Sequence, residues 1–134
     1  EHLYDPGDCL KLIQKKLKKN GELIIGTPNI DSLVSNIFGT YWYNLDAPRH
    51  LVLFNPKTLE STIRTFGFRI QQREFCSAGG ILGSIGYVLS GMLHKKISFL
   101  ENQMLVILMY PIEWMLDKLF LGDVFVIRAR KEEK

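Results

Sequence analysis

Between Gly21 and Asn29 the chain reads Gly-Glu-Leu-Ile-Ile-Gly-Thr-Pro-Asn, a short branched apolar centre bounded by glycine on one side and Thr27-Pro28-Asn29 on the other. That pattern predicts a strand buried on both faces. Ahead of it, Leu10, Ile13 and Leu17 fall on one face of a basic helix, started by Asp5 as cap and Pro6 at the first helical position. The helix is expected to run to about Lys19 and to stop at a left-handed Gly21. Residues 30–38 are weakly helical with Asp31 or Ser32 as cap, and residues 39–47 form an aromatic loop holding Tyr41, Trp42 and Tyr43. Asn55-Pro56 opens another helix in which Leu59, Ile63 and Phe66 recur at helical spacing until Gly67. Residues 68–75 then read as a strand.

From Ile81 to Leu121 the pattern is helical, with a break near Lys95-Lys96 and a kink expected at Pro111. Residues 124–127 form the last strand, and the charged residues 128–134 are expected to leave the fold. Helix, glycine turn, strand and polar loop follow one another as in a parallel α/β sheet, where ligands sit beyond the carboxyl ends of the strands. Three strands are too few to bury a run as apolar as Leu23-Ile24-Ile25, so further strands are expected before Glu1.

Composition narrows the function classes. With 46% hydrophobic residues in 134, the chain can build a core, and a formal charge of +3 from 17 basic and 14 acidic residues is too mild for a nucleic-acid binder. Lys15, Lys16, Lys18 and Lys19 suit the end of a helix as a solvated face. Cys9 and Cys76 have neither metal-ligand spacing nor a disulfide framework, which suits a cytoplasmic protein with reduced thiols. Residues 75–94 lack Asp, Glu, Lys and Arg, but their glycines and serines dilute the hydrophobicity, so a buried or interfacial helix is expected there.

Four stretches in order carry a resemblance. Glu1-His2-Leu3-Tyr4-Asp5-Pro6, Leu17 through Asn29, Trp42 with Leu45-Asp46-Ala47-Pro48-Arg49-His50-Leu51-Val52-Leu53-Phe54, and Gly67-Phe68 resemble the C-terminal half of class I S-adenosylmethionine-dependent methyltransferases. The nearest branch includes ubiquinone-biosynthesis O-methyltransferases and enzymes of cell-surface glycan and lipid pathways. The resemblance implies an α/β fold: a partial Rossmann-like sheet of the last three strands, the final one antiparallel and inserted between the other two. A helical insert at about 81–121 would separate the last two strands, all within residues 1–134 as the C-terminal portion of one methyltransferase domain. The family's glycine-rich first loop and ribose-binding acid have no counterpart, so this chain is expected to lack the main cofactor-binding half and not to bind S-adenosylmethionine alone. Gly79-Gly80-Ile81-Leu82-Gly83-Ser84-Ile85-Gly86 does not replace that loop and reads as close helix packing or a lid hinge.

The implied function is methyl transfer to an oxygen or nitrogen of a small or lipid- or glycan-linked acceptor. His50 is the candidate general base, with the alternative that it bonds a backbone carbonyl to hold its loop. Arg49 is a candidate for an acidic acceptor or a clamp on Asp46, and Trp42 and Tyr43 for stacking on a ring or roofing the core. Asn29 is placed to shape the acceptor site, and His2, after the fourth strand, is the candidate on the cofactor side. In some relatives a Glu-His pair and a later histidine hold a divalent ion. Glu1, His2 and His50 match in type, but a further carboxylate would be needed and no metal is assigned. Expected partners are the acceptor and, through the apolar helices, a membrane surface or a second copy. A non-catalytic α/β module assembling through those helices is the competing class.

Overall fold

A computed structural model of the chain describes residues 1–77 and 79–132. Helix α1 (Pro6–Lys16) starts where Asp5 Oδ1 accepts the Asp8 N–H at 3.0 Å, with proline just inside. It ends earlier than its lysines suggested, because Leu17 is already extended and Asn20, not Gly21, takes the left-handed conformation. Gly21 is needed for a different reason: a Cβ there would press on the Leu17 side chain and the Lys18 carbonyl.

Strand β1 (Glu22–Pro28) follows. Helix α2 (Leu33–Phe38) is capped by Ser32, whose Oγ accepts the Ser35 N–H, and two 3-10 turns, Gly39–Tyr41 and Tyr43–Leu45, carry the aromatic loop. Helix α3 (Pro56–Thr65) has the reciprocal box that Asn55-Pro56 announced: Asn55 Oδ1 accepts from Thr58 N at 2.8 Å and Thr58 Oγ1 from Asn55 N at 3.1 Å. Such a box stabilises a helix by about 1 kcal/mol. Gly67, at φ +78°, turns the chain into β2 (Phe68–Phe75). The insert is two helices, α4 (Gly80–Leu93) and α5 (Gln103–Lys118), with α5 running unbroken through Pro111. Strand β3 (Val124–Lys131) closes the sheet.

The sheet order is β1-β3-β2, with β3 antiparallel to both neighbours, as the resemblance implied. Register puts Leu23 opposite Ala129, Ile25 opposite Ile127 and Thr27 opposite Phe125 on one face. The helices α1 and α3 cover that face through Leu10, Leu59 and Ile63, and Phe68, Phe125 and Ile127 are sealed beneath them. A bulge between Ile70 and Gln72 keeps β2 in step with β3.

Two expectations are corrected. First, β1 is not buried on both faces: Leu23 is 8% exposed but Ile24 is 56% exposed, on the face where Glu22 pairs with Arg130 at 2.7 Å. Among the described residues β1 lies at the sheet margin and no helix covers that face, so alternation replaces double burial. Second, residues 128–131 do not leave the fold. They continue β3, anchored by Lys131 Nζ donating to the carbonyls of Gln14 at 2.6 Å and Leu17 at 3.0 Å. Residues 133 and 134 of the expected tail lie outside the described residues. Both cysteines are free. Cys76 is exposed at the end of β2, its N–H bonded to the Val124 carbonyl at 3.0 Å.

Candidate functional site

The site forms where β1 ends. Asn29 makes a parallel bridge with Phe54, and Ile30 N donates to the Phe54 carbonyl at 3.0 Å, which draws the segment after His50 against the strand. Leu51 N donates to the Glu1 carbonyl at 2.7 Å, pinning Glu1-His2 to the same loop. A pocket of about 310 Å³ opens between them, walled by Thr27, Tyr43, Asp46, Arg49, His50 and Tyr87. That is the lower end of the size range for ligand pockets, about 300–1,000 Å³.

His50 is only 9% exposed, and its Nδ1 donates to the Asn44 carbonyl at 2.8 Å. A carbonyl can only accept, so in the neutral ring this bond places the hydrogen on Nδ1 and leaves the Nε2 lone pair free. The backbone bond therefore does not compete with a role as base; it selects the tautomer a base needs. Nε2 lies 3.8 Å from an Asp46 carboxylate oxygen. Arg49 closes on the same carboxylate at 2.7 Å, the clamp reading, and that partner raises the guanidinium's pKa by hydrogen bonding and charge. The His2 ring sits 4.7 Å from that of His50, and its Nδ1 donates to the Arg49 carbonyl at 3.1 Å.

Glu1, His2 and His50 each offer one ligand atom, all within 4.8 Å of one another. Two imidazoles and a carboxylate are donors of the types that bind divalent cations, one carboxylate short of the set the sequence called for. Tyr43 and Tyr87 form an aromatic wall, ring centroids 5.5 Å apart. Thr27 Oγ1 is buried at the pocket's edge without a hydrogen-bond partner among the described residues.

Trp42 and Asn29 are placed differently from the other expected site residues. Trp42 is 1% exposed and its indole N–H is donated to Asp123, so no face is offered to a ligand. Asn29 is 2% exposed; its amide N–H goes to the Gly122 carbonyl at 2.9 Å and its Oδ1 accepts from Asp31 N at 3.2 Å. It shapes the site from behind by tying the end of β1 to the start of β3.

Three participants escaped the sequence. Asp123, 2% exposed, accepts from Ser32 Oγ at 3.0 Å, Asn44 Nδ2 at 2.6 Å and the Trp42 indole, and so fixes the turn whose carbonyl holds His50. Burial raises its pKa, with the Trp42 and Ser32 donors opposing and the Glu113 charge adding to the rise. Tyr87 reaches the pocket because α4 lies close on the aromatic loop. A Cβ at Gly80 would collide with the Asp123 carboxylate, one at Gly83 with the Tyr43 ring, and one at Gly91 would sit 3.1 Å from the Tyr41 ring. Positions 80, 83, 87 and 91 form one stripe at helical spacing, the signal that could have found Tyr87. Asn44 was invisible because its role lies in its carbonyl.

The same contacts decide the glycine run. The spaces beside Gly80, Gly83 and Gly86 are filled by Asp123, Tyr43 and the Ile97 carbonyl, so this backbone is not open to a cofactor.

A sheet with its last strand reversed between two parallel neighbours, and a polar pocket beyond the carboxyl end of β1, define a class. The model for the methyltransferase domain matches residues 1–73, and the chain belongs to that family. Among solved structures it is similar to a SAM-dependent methyltransferase from Archaeoglobus fulgidus, at 26% identity and a TM-score of 0.54. The match covers 98% of this chain and 55% of that protein, so the chain spans about half its length. No curated protein sequence matches significantly. The family's methyl donor is S-adenosylmethionine.

Proposed function

We propose that this chain supplies the acceptor side of a cytoplasmic S-adenosylmethionine-dependent methyltransferase acting on an oxygen or nitrogen of a small, lipid-linked or glycan-linked molecule. The ubiquinone-biosynthesis type of O-methyltransferase is the branch we favour, on the residues quoted above. The observation that carries the reading is the Nδ1 bond from His50 to the Asn44 carbonyl, because it frees Nε2 inside a pocket that Tyr43 and Tyr87 also line. With an acceptor against the wall formed by Tyr43 and Tyr87, its hydroxyl or amine proton passes to Nε2 as the acceptor atom becomes nucleophilic. The Asp46 carboxylate, 3.8 Å away, then stabilises the imidazolium.

His50→Gln keeps the ring's approximate volume and removes the base. In the full-length protein, turnover should fall about 100-fold or more while the apparent affinity for S-adenosylmethionine changes less than about threefold. Equal loss of both would take His50 out of the acceptor site. A second reading is favoured by the convergence of Glu1, His2 and His50: a divalent cation bound there would lower the acceptor's pKa directly. Chelation by EDTA separates the two, since a base needs no cation and a metal site loses activity that added Mg²⁺ or Zn²⁺ restores.

A further inference from the structure

The insert carries its apolar side chains outward. Met104, Ile107 and Leu108 on α5 are 80%, 71% and 70% exposed, and Met92 and Leu93 at the end of α4 are 71% and 62% exposed. These belong to one hairpin tip, since α4 and α5 are joined by residues 94–102. Large apolar side chains exposed together at one tip mark an interaction site.

Charge selects the occupant. The carboxylates of α5 are turned inward and in use: Glu113 accepts from the N–H groups of Gly79 and Ile81, and Asp117 from Ser77 N and Oγ. Among the described residues, those exposed around the apolar face are Lys95, Lys96 and Lys118, with Glu101 at the tip and Arg73 and Glu74 beside Trp114, so the surrounding charge is on balance basic. Lys118 Nζ lies over the half-exposed Trp114 ring at 5.6 Å, pairing a cation with an amphipathic aromatic. Apolar side chains beside lysines and an interfacial tryptophan match the headgroup zone of an anionic leaflet.

Length and backbone fix the depth. The 16 residues of α5 extend about 24 Å, short of the ~30 Å hydrocarbon core, and no helix among the described residues is long and apolar enough to cross a membrane. Pro111 has no N–H for the Ile107 carbonyl four residues back, and such a carbonyl needs water or a headgroup rather than hydrocarbon.

We propose that the outward face of the α4–α5 hairpin lies in the plane of a bilayer surface carrying anionic lipid. This does not depend on the chemistry at His50. The test is co-sedimentation with vesicles of phosphatidylcholine alone or with about one-third phosphatidylglycerol. Binding to the anionic vesicles should exceed binding to the neutral ones by about tenfold or more. Ile107→Asp with Leu108→Asp, both at exposed positions, should abolish it, and Lys95→Glu with Lys96→Glu should weaken it on the order of tenfold. Ile24→Asp, removing a half-exposed apolar group from β1, is the control and should bind as the parent does. Emission should shift to the blue on binding and lose the shift in Trp114→Phe, because Trp42 is already buried. Absence of sedimentation, indifference to the Ile107 and Leu108 changes, or light scattering that reveals a dimer dispersed by those changes would overturn the proposal, the last in favour of a second copy.

Discussion

Helices α4 and α5 are neighbours of similar apolar character, yet they are used in opposite ways. The first buries Gly80, Leu82, Gly83, Ser84 and Gly86 against the aromatic loop; the second buries only Glu113 and Leu116. Side-chain size separates them. A stripe of glycine and serine lets α4 approach until Tyr43 and Asp123 touch its backbone, whereas the bulky side chains of α5 hold it off and leave most of it in solvent. What docks α5 is polar. Glu113 accepts from Gly79 N at 2.7 Å and Ile81 N at 3.3 Å, placing a carboxylate at the start of α4, where orphan donors and the helix dipole favour it.

The sharpest way to break this contrast is Glu113→Ala, which leaves two donors in a buried turn without an acceptor. It should lower stability by about 3 kcal/mol in urea unfolding, with Glu113→Gln recovering roughly half because one oxygen remains. Asp123→Asn attacks the packed side. One of its acceptors becomes a donor facing Trp42, Ser32 or Asn44, and the expected cost is about 2 kcal/mol at pH 5.

Asp123 also carries a pH signature. Burial holds its folded pKa above the ordinary 3.8, so as pH rises the unfolded chain releases this proton first. Its contribution to stability is therefore present below that value and is lost as pH climbs to the folded pKa. Urea midpoints measured from pH 4 upward should show the decline in the parent chain and not in the variant. Gly83→Ala forces a methyl against the Tyr43 ring and should cost about 1–2 kcal/mol. Leu108→Ser, on the outward side of α5, should move the midpoint by less than about 0.5 kcal/mol. A large effect there would mean that α5 is packed after all.

Local chemistry made much of the fold legible. Asp5-Pro6 and Asn55-Pro56 announce helices because a cap and an adjacent proline act within four residues, and Leu59, Ile63 and Phe66 mark a core face because periodicity needs no partner. The reversed central strand came from the resemblance, since nothing in residues 124–131 states its direction. Less of the site could be read. His50, Arg49 and Tyr43, singled out by residue type and by the resemblance, line one pocket, but the fate of Trp42 is decided by Asp123, 81 positions away, and so is the anchoring of Asn44. The exposure of Ile24 escaped for the same reason: an apolar triplet records a preference for burial, while coverage depends on what lies opposite.

Cys76 sits where the sheet hands over to the insert, exposed and joined through its N–H to the first residue of β3. Partial burial, with Asp117 and Glu74 adding repulsion, pushes its thiol up, so at neutral pH it resists oxidation and alkylation. A rise in pH moves this exposed thiol toward the reactive thiolate, while Cys9 is half-covered. The chain thus contains a natural attachment point for a spin label or fluorophore at the root of the hairpin, requiring no added cysteine.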